Sequence, residues 1–251
     1  MVLMLPVVEL AVQDAAGVRI AREVGAARVE LAQALPLGGL TPSAGTLEAA
    51  LEAAGEGGPE VHVLVRPRAG GFRYDSDELD VIIRDVRVAL AAGAHGVVVG
   101  CQGESGGLDR DALARITDAA GTASVTLHRV IDVTPDPVAS LQVARDLGLR
   151  RVLTSGGASR AVDGIPVLRA LVAEAEGRIE VMAGSGIDPG NAAAIAATGV
   201  DAVHFSAKRT IASEGGVRLG SASDGVGGHE ITDREAALAV IAALGGVHSA
   251  V

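Results

Sequence analysis

Aromatic side chains are almost absent from this chain. Phe72, Tyr74 and Phe205 are the whole complement, and there is no tryptophan. That argues against platforms on which bases or sugars stack. Cysteine is as scarce: Cys101 stands alone, so no disulfide can form within the chain, which suits a reducing cytosol. No apolar run is long enough to span a bilayer. The opening "MVLMLPVVELAV" is apolar but lacks a basic leading region, and it reads as a first strand rather than a signal peptide. Positive charge is in deficit, with 21 Lys and Arg against 31 Asp and Glu and a formal net charge of −10. That balance argues against a nucleic-acid partner, although a local cationic pocket is compatible with it.

What the chain has in quantity is Ala, Val, Leu and Gly, ample material for a core. Short β-branched runs alternate with longer Ala/Leu-rich segments. Strand candidates are 5–10, 28–31, 61–65, 96–100, 124–128, 151–155, 179–184 and 202–206. Helical patterns fall at 43–55, 76–93, 109–121, 136–148, 188–199 and 233–245, most opening on Asp or Ser and closing on Gly. Four strands follow the same exit from a helix: "GAARVEL", "GAHGVVV", "GLRRVLT" and "GVDAVHF". Eight βα units in 251 residues, with no linker, predict one domain over 1–251, a single TIM (β/α)8 barrel. A doubly wound open sheet is the alternative, weakened by the lack of a Gly-rich fingerprint after the first strand. Residues 214–230 form the one long irregular stretch.

Barrel sites form at the C-terminal ends of strands, and polar residues gather there in this sequence. The first strand ends near Glu9 and the second at Glu30. The third runs into "VRPRAGGF", with Arg66 and Arg68, and the fifth into "HRVID", with His128, Arg129 and Asp132. The sixth ends in "TSGG" (Ser155, Gly156), the seventh in "AGSGI" (Gly184, Ser185, Gly186), and the eighth offers His204, Ser206 and Lys208. Period-2 alternation puts Leu64 and Arg66, Thr126 and His128, and His204 and Ser206 on interior faces. His128, with Asp132 one turn on, is a candidate general acid or base, and Glu30 joins them as a catalytic candidate. The remainder are ligand-binding candidates: Glu9, Arg66, Arg68, Arg129, Ser155, Gly156, Gly184, Ser185, Gly186 and Ser206. "TSGG" and "AGSGI" resemble phosphate grips in which backbone N–H groups converge on an anion. A tight turn that needs glycine explains the same letters. Likewise, Glu9, Glu30 and the arginines can be read as a buried network that neutralises itself. The site reading expects Glu30 to balance Arg66 from the next strand. It also expects surplus cations to hold a small anion near Ser155–Gly157 and Gly184–Gly186.

The motifs "RVEL…GGLTPS" (28–43), "RPRAGGFRYDSDEL" (66–79), "HRVID", "RVLTSG" and "MAGSGI" together resemble the CutC family of copper homeostasis proteins, from about Pro6 to about Asp224. The resemblance implies a cytoplasmic TIM barrel that forms a homodimer or homotetramer and handles or binds copper. It also implies Glu-x-Cys triplets as proposed Cu(I) ligands. Here both triplets read "ELA", with Ala11 and Ala32 at the cysteine positions. Copper is therefore implied by resemblance alone, and no metal ligand is assigned. Cys101, Met182 and His204 are the remaining candidates, and their spacing forms no ligand motif. Three classes stay open: a copper-handling barrel, an enzyme on a small anionic or phosphorylated metabolite, and a binding barrel without chemistry. None involves nucleic acid or membrane.

Overall fold

A computed structural model describes residues 5–212 and 228–245. Eight parallel strands close into a barrel, each paired with its sequence neighbours and the first with the last. They are β1 (Val7–Val12), β2 (Arg28–Leu31), β3 (Glu60–Leu64), β4 (Gly96–Val99), β5 (Ser124–Leu127), β6 (Arg151–Thr154), β7 (Glu180–Gly184) and β8 (Ala202–Phe205). The helices between and after them are α1 (Ala15–Glu23), α2 (Ala44–Ala54), α3 (Ser76–Ala91), α4 (Arg110–Ala120), α5 (Pro137–Asp146), α6 (Ile165–Ala175), α7 (Ala192–Ala196) and α8 (Arg234–Gly245). This is the TIM barrel that the repeated βα units predict. Among the described residues no helix is long and apolar enough to cross a membrane.

Local chemistry explains the boundaries. The side chains of Asp14, Ser43, Asp75, Asp109 and Asp136 each accept a backbone N–H in the first turn of the helix that follows. Each cap satisfies a donor the helix cannot use itself. The helix expected over 188–199 is shorter: Asp188 and Asn191 bond to each other's turn, and regular helix starts only at Ala192. The irregular stretch expected over 214–230 lies outside the described residues as far as 227. Its last three residues belong to β10 (Gly228–Thr232), which pairs antiparallel with β9 (Lys208–Ala212) beyond the barrel.

Outward-facing strand residues such as Val29, Val61, Val97, Val152 and Val203 pack beneath the helices in one large core. The interior is different. Small apolar clusters, Ala32–Leu64–Val98 and Leu153–Met182–Ala202, share it with charges. Arg151 donates to Glu180 at 2.7 Å and to the Thr126 hydroxyl at 3.1 Å. Arg28 donates to Glu9 at 2.9 Å. These two buried arginines are paired with carboxylates, and removing one partner of such a pair costs about 3–5 kcal/mol.

Candidate functional site

The C-terminal ends of the strands surround a cavity of about 640 Å³. β2 brings Glu30 to its wall, the segment after β3 brings Arg66, and the segment after β5 brings His128 and Arg129. Ser185 and Gly186 enter from beyond β7, and His204, Ser206 and Lys208 from β8 and its exit. The closed barrel carries these side chains inward on alternate positions, as the period-2 reading expects.

Glycines make room for the two histidines. A Cβ at Gly100 would lie 2.4 Å from the His128 ring, and one at Gly184 would lie 3.3 Å from the His204 ring and 2.6 Å from Leu153. Gly184 therefore shapes the site by its size and is not among the cavity-lining residues. Ser185 takes a positive φ of 87° and its hydroxyl donates to the Ser159 carbonyl at 2.7 Å.

Arg66 does not pair with Glu30. Its guanidinium donates instead to the carbonyls of Leu37, Gly39 and Gly70, at 3.1, 2.9 and 2.7 Å. It lies 5.2 Å from the Phe72 ring centre. Three carbonyls from two loops converge on one planar fork and occupy its two terminal nitrogens. Arg68 points elsewhere: it pairs with Glu78, lies over Tyr74 and stays outside the cavity wall.

The "TSGG" turn is occupied from within. Asp132 accepts from the backbone N–H groups of Ser155 and Gly157 at 3.0 Å each and from the Thr154 hydroxyl at 2.6 Å. Its other oxygen takes Arg129 at 2.8 Å, and Arg129 also donates to the Ser155 hydroxyl at 2.8 Å. Gly156 N–H goes to the Thr154 hydroxyl at 2.9 Å. The anion in this grip is a carboxylate of the protein. With its oxygens bonded to these groups, Asp132 forms no pair with His128, and the acid/base couple expected from "HRVID" is not assembled.

His128 is buried, and Nδ1 accepts the Val130 N–H at 3.1 Å, which puts the ring proton on Nε2. Nε2 has no partner among the described residues. Burial, and then the nearby Arg66 charge, push its pKa down to about 3. At neutral pH it is an uncharged hydrogen-bond donor facing the cavity.

Glu9, Glu30 and His204 form the other half of the site. Glu9 holds Arg28 with one oxygen and His204 Nδ1 with the other, each at 2.9 Å. Burial alone would raise its pKa, but His204 and Arg28 together bring it down to about 2. Glu30 has no such help. Burial, with Glu9 adding to it and His204 opposing, raises its pKa to about 7, and its buried Oε2 has no partner among the described residues. For His204, burial is outweighed by Glu30 and Glu9, which raise its pKa. Arg28 was absent from the expected site, and His204 was read as an interior polar residue without an assigned role. Their signal was available in the alternation that puts Arg28 beside Glu30's face and His204 beside Ser206's.

The residues implied for Cu(I) do not fit it. Ala11 lies on the cavity wall, and Ala32 is packed against Leu64 and Val98. Cys101 is buried, and burial pushes its thiol up to about 12, far from the thiolate a metal needs. Met182 is sealed in an apolar cluster.

A closed parallel barrel with a polar cavity at its C-terminal mouth defines a TIM-barrel protein with its candidate site in the usual place. The chain belongs to the CutC family, whose pattern matches residues 6–209. It is 45% identical over 179 residues to a CutC family protein of Sinorhizobium medicae, covering 71% of each chain. It is 38% identical over 232 residues to one of Mesorhizobium japonicum, covering 92% of this chain and 88% of that one. Among solved structures, a Streptococcus agalactiae CutC assigned to copper homeostasis matches with a TM-score of 0.76 and 29% identity, over 80% of this chain and 98% of that one.

Proposed function

We propose that the mouth of this barrel binds a small anionic metabolite, a carboxylate or a phosphate. The observation that carries this reading is Arg66: a buried guanidinium on the cavity wall, bonded to carbonyls and, among the described residues, to no carboxylate. Its charge is left for a ligand. Neutral His128 adds an unused Nε2–H donor beside it. The β7 exit at Ser185 and Gly186 adds glycine-rich backbone on the same wall. Arg129 and Lys208 contribute less, since Asp132 and Glu230 already pair with them.

An enzyme acting on that ligand is the second reading, favoured by Glu30, which can take and release a proton near neutral pH. Copper homeostasis reaches this chain through its family, and a cytosolic homodimer or homotetramer belongs to the same family reading. The donor set argues against Cu(I) as cargo held at the mouth.

Thermal melts across a phosphate titration at fixed ionic strength test the anion reading, with a chelator present to remove metals. A ligand at about 100 times its dissociation constant adds roughly 2.7 kcal/mol of stability. The expected shift disappears in Arg66→Lys, which keeps the charge but loses the planar fork. A melting temperature indifferent to phosphate and to small carboxylates sinks the proposal.

A further inference from the structure

We infer that Glu9, Glu30 and His204 form a binding site for a borderline divalent transition-metal ion, of the type of Zn2+ or Co2+. One donor atom from each residue lies within 4.8 Å of the other two. Metal–oxygen and metal–nitrogen bonds of about 2.0–2.2 Å span about 4.2 Å across an ion. Small rotamer changes therefore bring the three donors onto one centre.

The independent sign of a ligand is Glu30. Only 6% of the residue is exposed, it faces the cavity, and among the described residues Oε2 has no hydrogen-bond partner. A buried carboxylate oxygen without a donor is costly, and a cation at that position removes the cost. The other two residues are already oriented. Arg28 fixes one oxygen of Glu9, and the other oxygen lies 2.9 Å from His204 Nδ1, where an ion would take the place of the proton between them. An outer bond such as the one from Arg28 sets the geometry of a carboxylate ligand in metal centres. The three residues sit on β1, β2 and β8, adjacent strands at the closure of the barrel, where Glu9 and His204 are register partners. Rigid strands hold a constellation more tightly than loops do.

The donor chemistry selects the metal class. Two carboxylates balance a dication, and one imidazole with no thiolate favours Zn2+ or Co2+ over Cu(I). Arg66 and His128 line the same cavity as Glu30 and His204, so an anionic ligand there can complete the shell.

The test uses the full chain, stripped of metal and kept free of phosphate, so that metal binding and anion binding can fail separately. Co2+ is titrated by calorimetry and by its ligand-field absorption, and Zn2+ is added to displace it. One Co2+ per chain is expected. Glu30→Gln and His204→Gln are expected to weaken binding on the order of 10- to 100-fold or more, with circular dichroism reporting that each variant is folded. Cys101→Ser is expected to bind as the parent chain does. Absence of stoichiometric Co2+ uptake overturns the inference. So does parent-like binding by whichever of the two site variants folds.

Discussion

The Asp132 carboxylate sits 3.0 Å from the backbone nitrogen of Ser155, inside the glycine-rich turn after β6. It also holds Gly157 N–H, the Thr154 hydroxyl and Arg129. A turn that looks built for a ligand is held closed by the protein's own anion.

Asp132→Ala is therefore expected to leave a vacant anion grip. Removing the carboxylate leaves the donors of Ser155, Gly157 and Thr154 without their acceptor, at a cost of about 1–3 kcal/mol, while the Arg129 guanidinium is 40% exposed and turns to water. Formate or acetate is expected to restore part of that loss by occupying the vacated position. Denaturant melts of the variant with and without formate check it. A variant whose stability ignores both the loss and the additive contradicts the assignment.

Glu30→Gln is expected to stabilise the metal-free chain above neutral pH. The folded pKa of Glu30 is raised from 4.5 to about 7, so the unfolded chain releases this proton first. Stability is lost as pH rises from 4.5 through 7, by about 1.4 kcal/mol per unit. Above pH 7 the accumulated penalty is roughly 3 kcal/mol, and glutamine removes it. Unfolding free energies of both chains at pH 5 and pH 8 give the comparison: little difference at the lower value, a clear gain for the variant at the higher.

Acid destabilises the chain through His128. Its folded pKa is lowered from 6.5 to about 3. Below pH 6.5 the unfolded chain takes a proton that the folded one refuses, so stability falls as pH falls, by about 1.4 kcal/mol per unit. His62, also lowered by burial, adds to the slope. His128→Asn is expected to flatten the dependence between pH 6 and pH 4 by about one proton, measured by denaturant melts across that window.

Cu(I) is expected to bind weakly. Competition against a Cu(I) chelator reads this directly, and Cys101→Ala is expected to change little, because that thiol is buried and firmly protonated. Introducing Ala11→Cys together with Ala32→Cys is expected to raise Cu(I) affinity, since two thiolates supply the soft donors the chain lacks. Tight stoichiometric binding by the parent chain would show that a copper site exists elsewhere.

Much of this was legible in the letters, and for a physical reason. Helix caps and β-branched runs act over a few residues, so the eight βα units and the interior phase of Arg66, His128 and His204 could be read directly. The partners could not. Arg66 was expected to meet Glu30 because both end adjacent strands. Its actual partners, Leu37, Gly39 and Gly70, are loop carbonyls whose direction no local pattern encodes. Asp132 was assigned to His128 by proximity in sequence, yet its hydrogen bonds run across to the turn after β6. β9 was hidden because it begins three residues after β8 ends, and its partner β10 starts inside the Gly- and Ser-rich stretch that reads as irregular. The importance of His204 depended on closure between β1 and β8, which topology supplies and spacing does not.

That closure has a consequence for synthesis. Glu9 and His204 are 195 positions apart in sequence, and bonds between such distant residues form late because long loops must close first. A ribosome-bound chain that has not yet released β8 carries Glu9 and Glu30 without their histidine. The Glu9–His204 bond therefore doubles as a report that the last strand has docked.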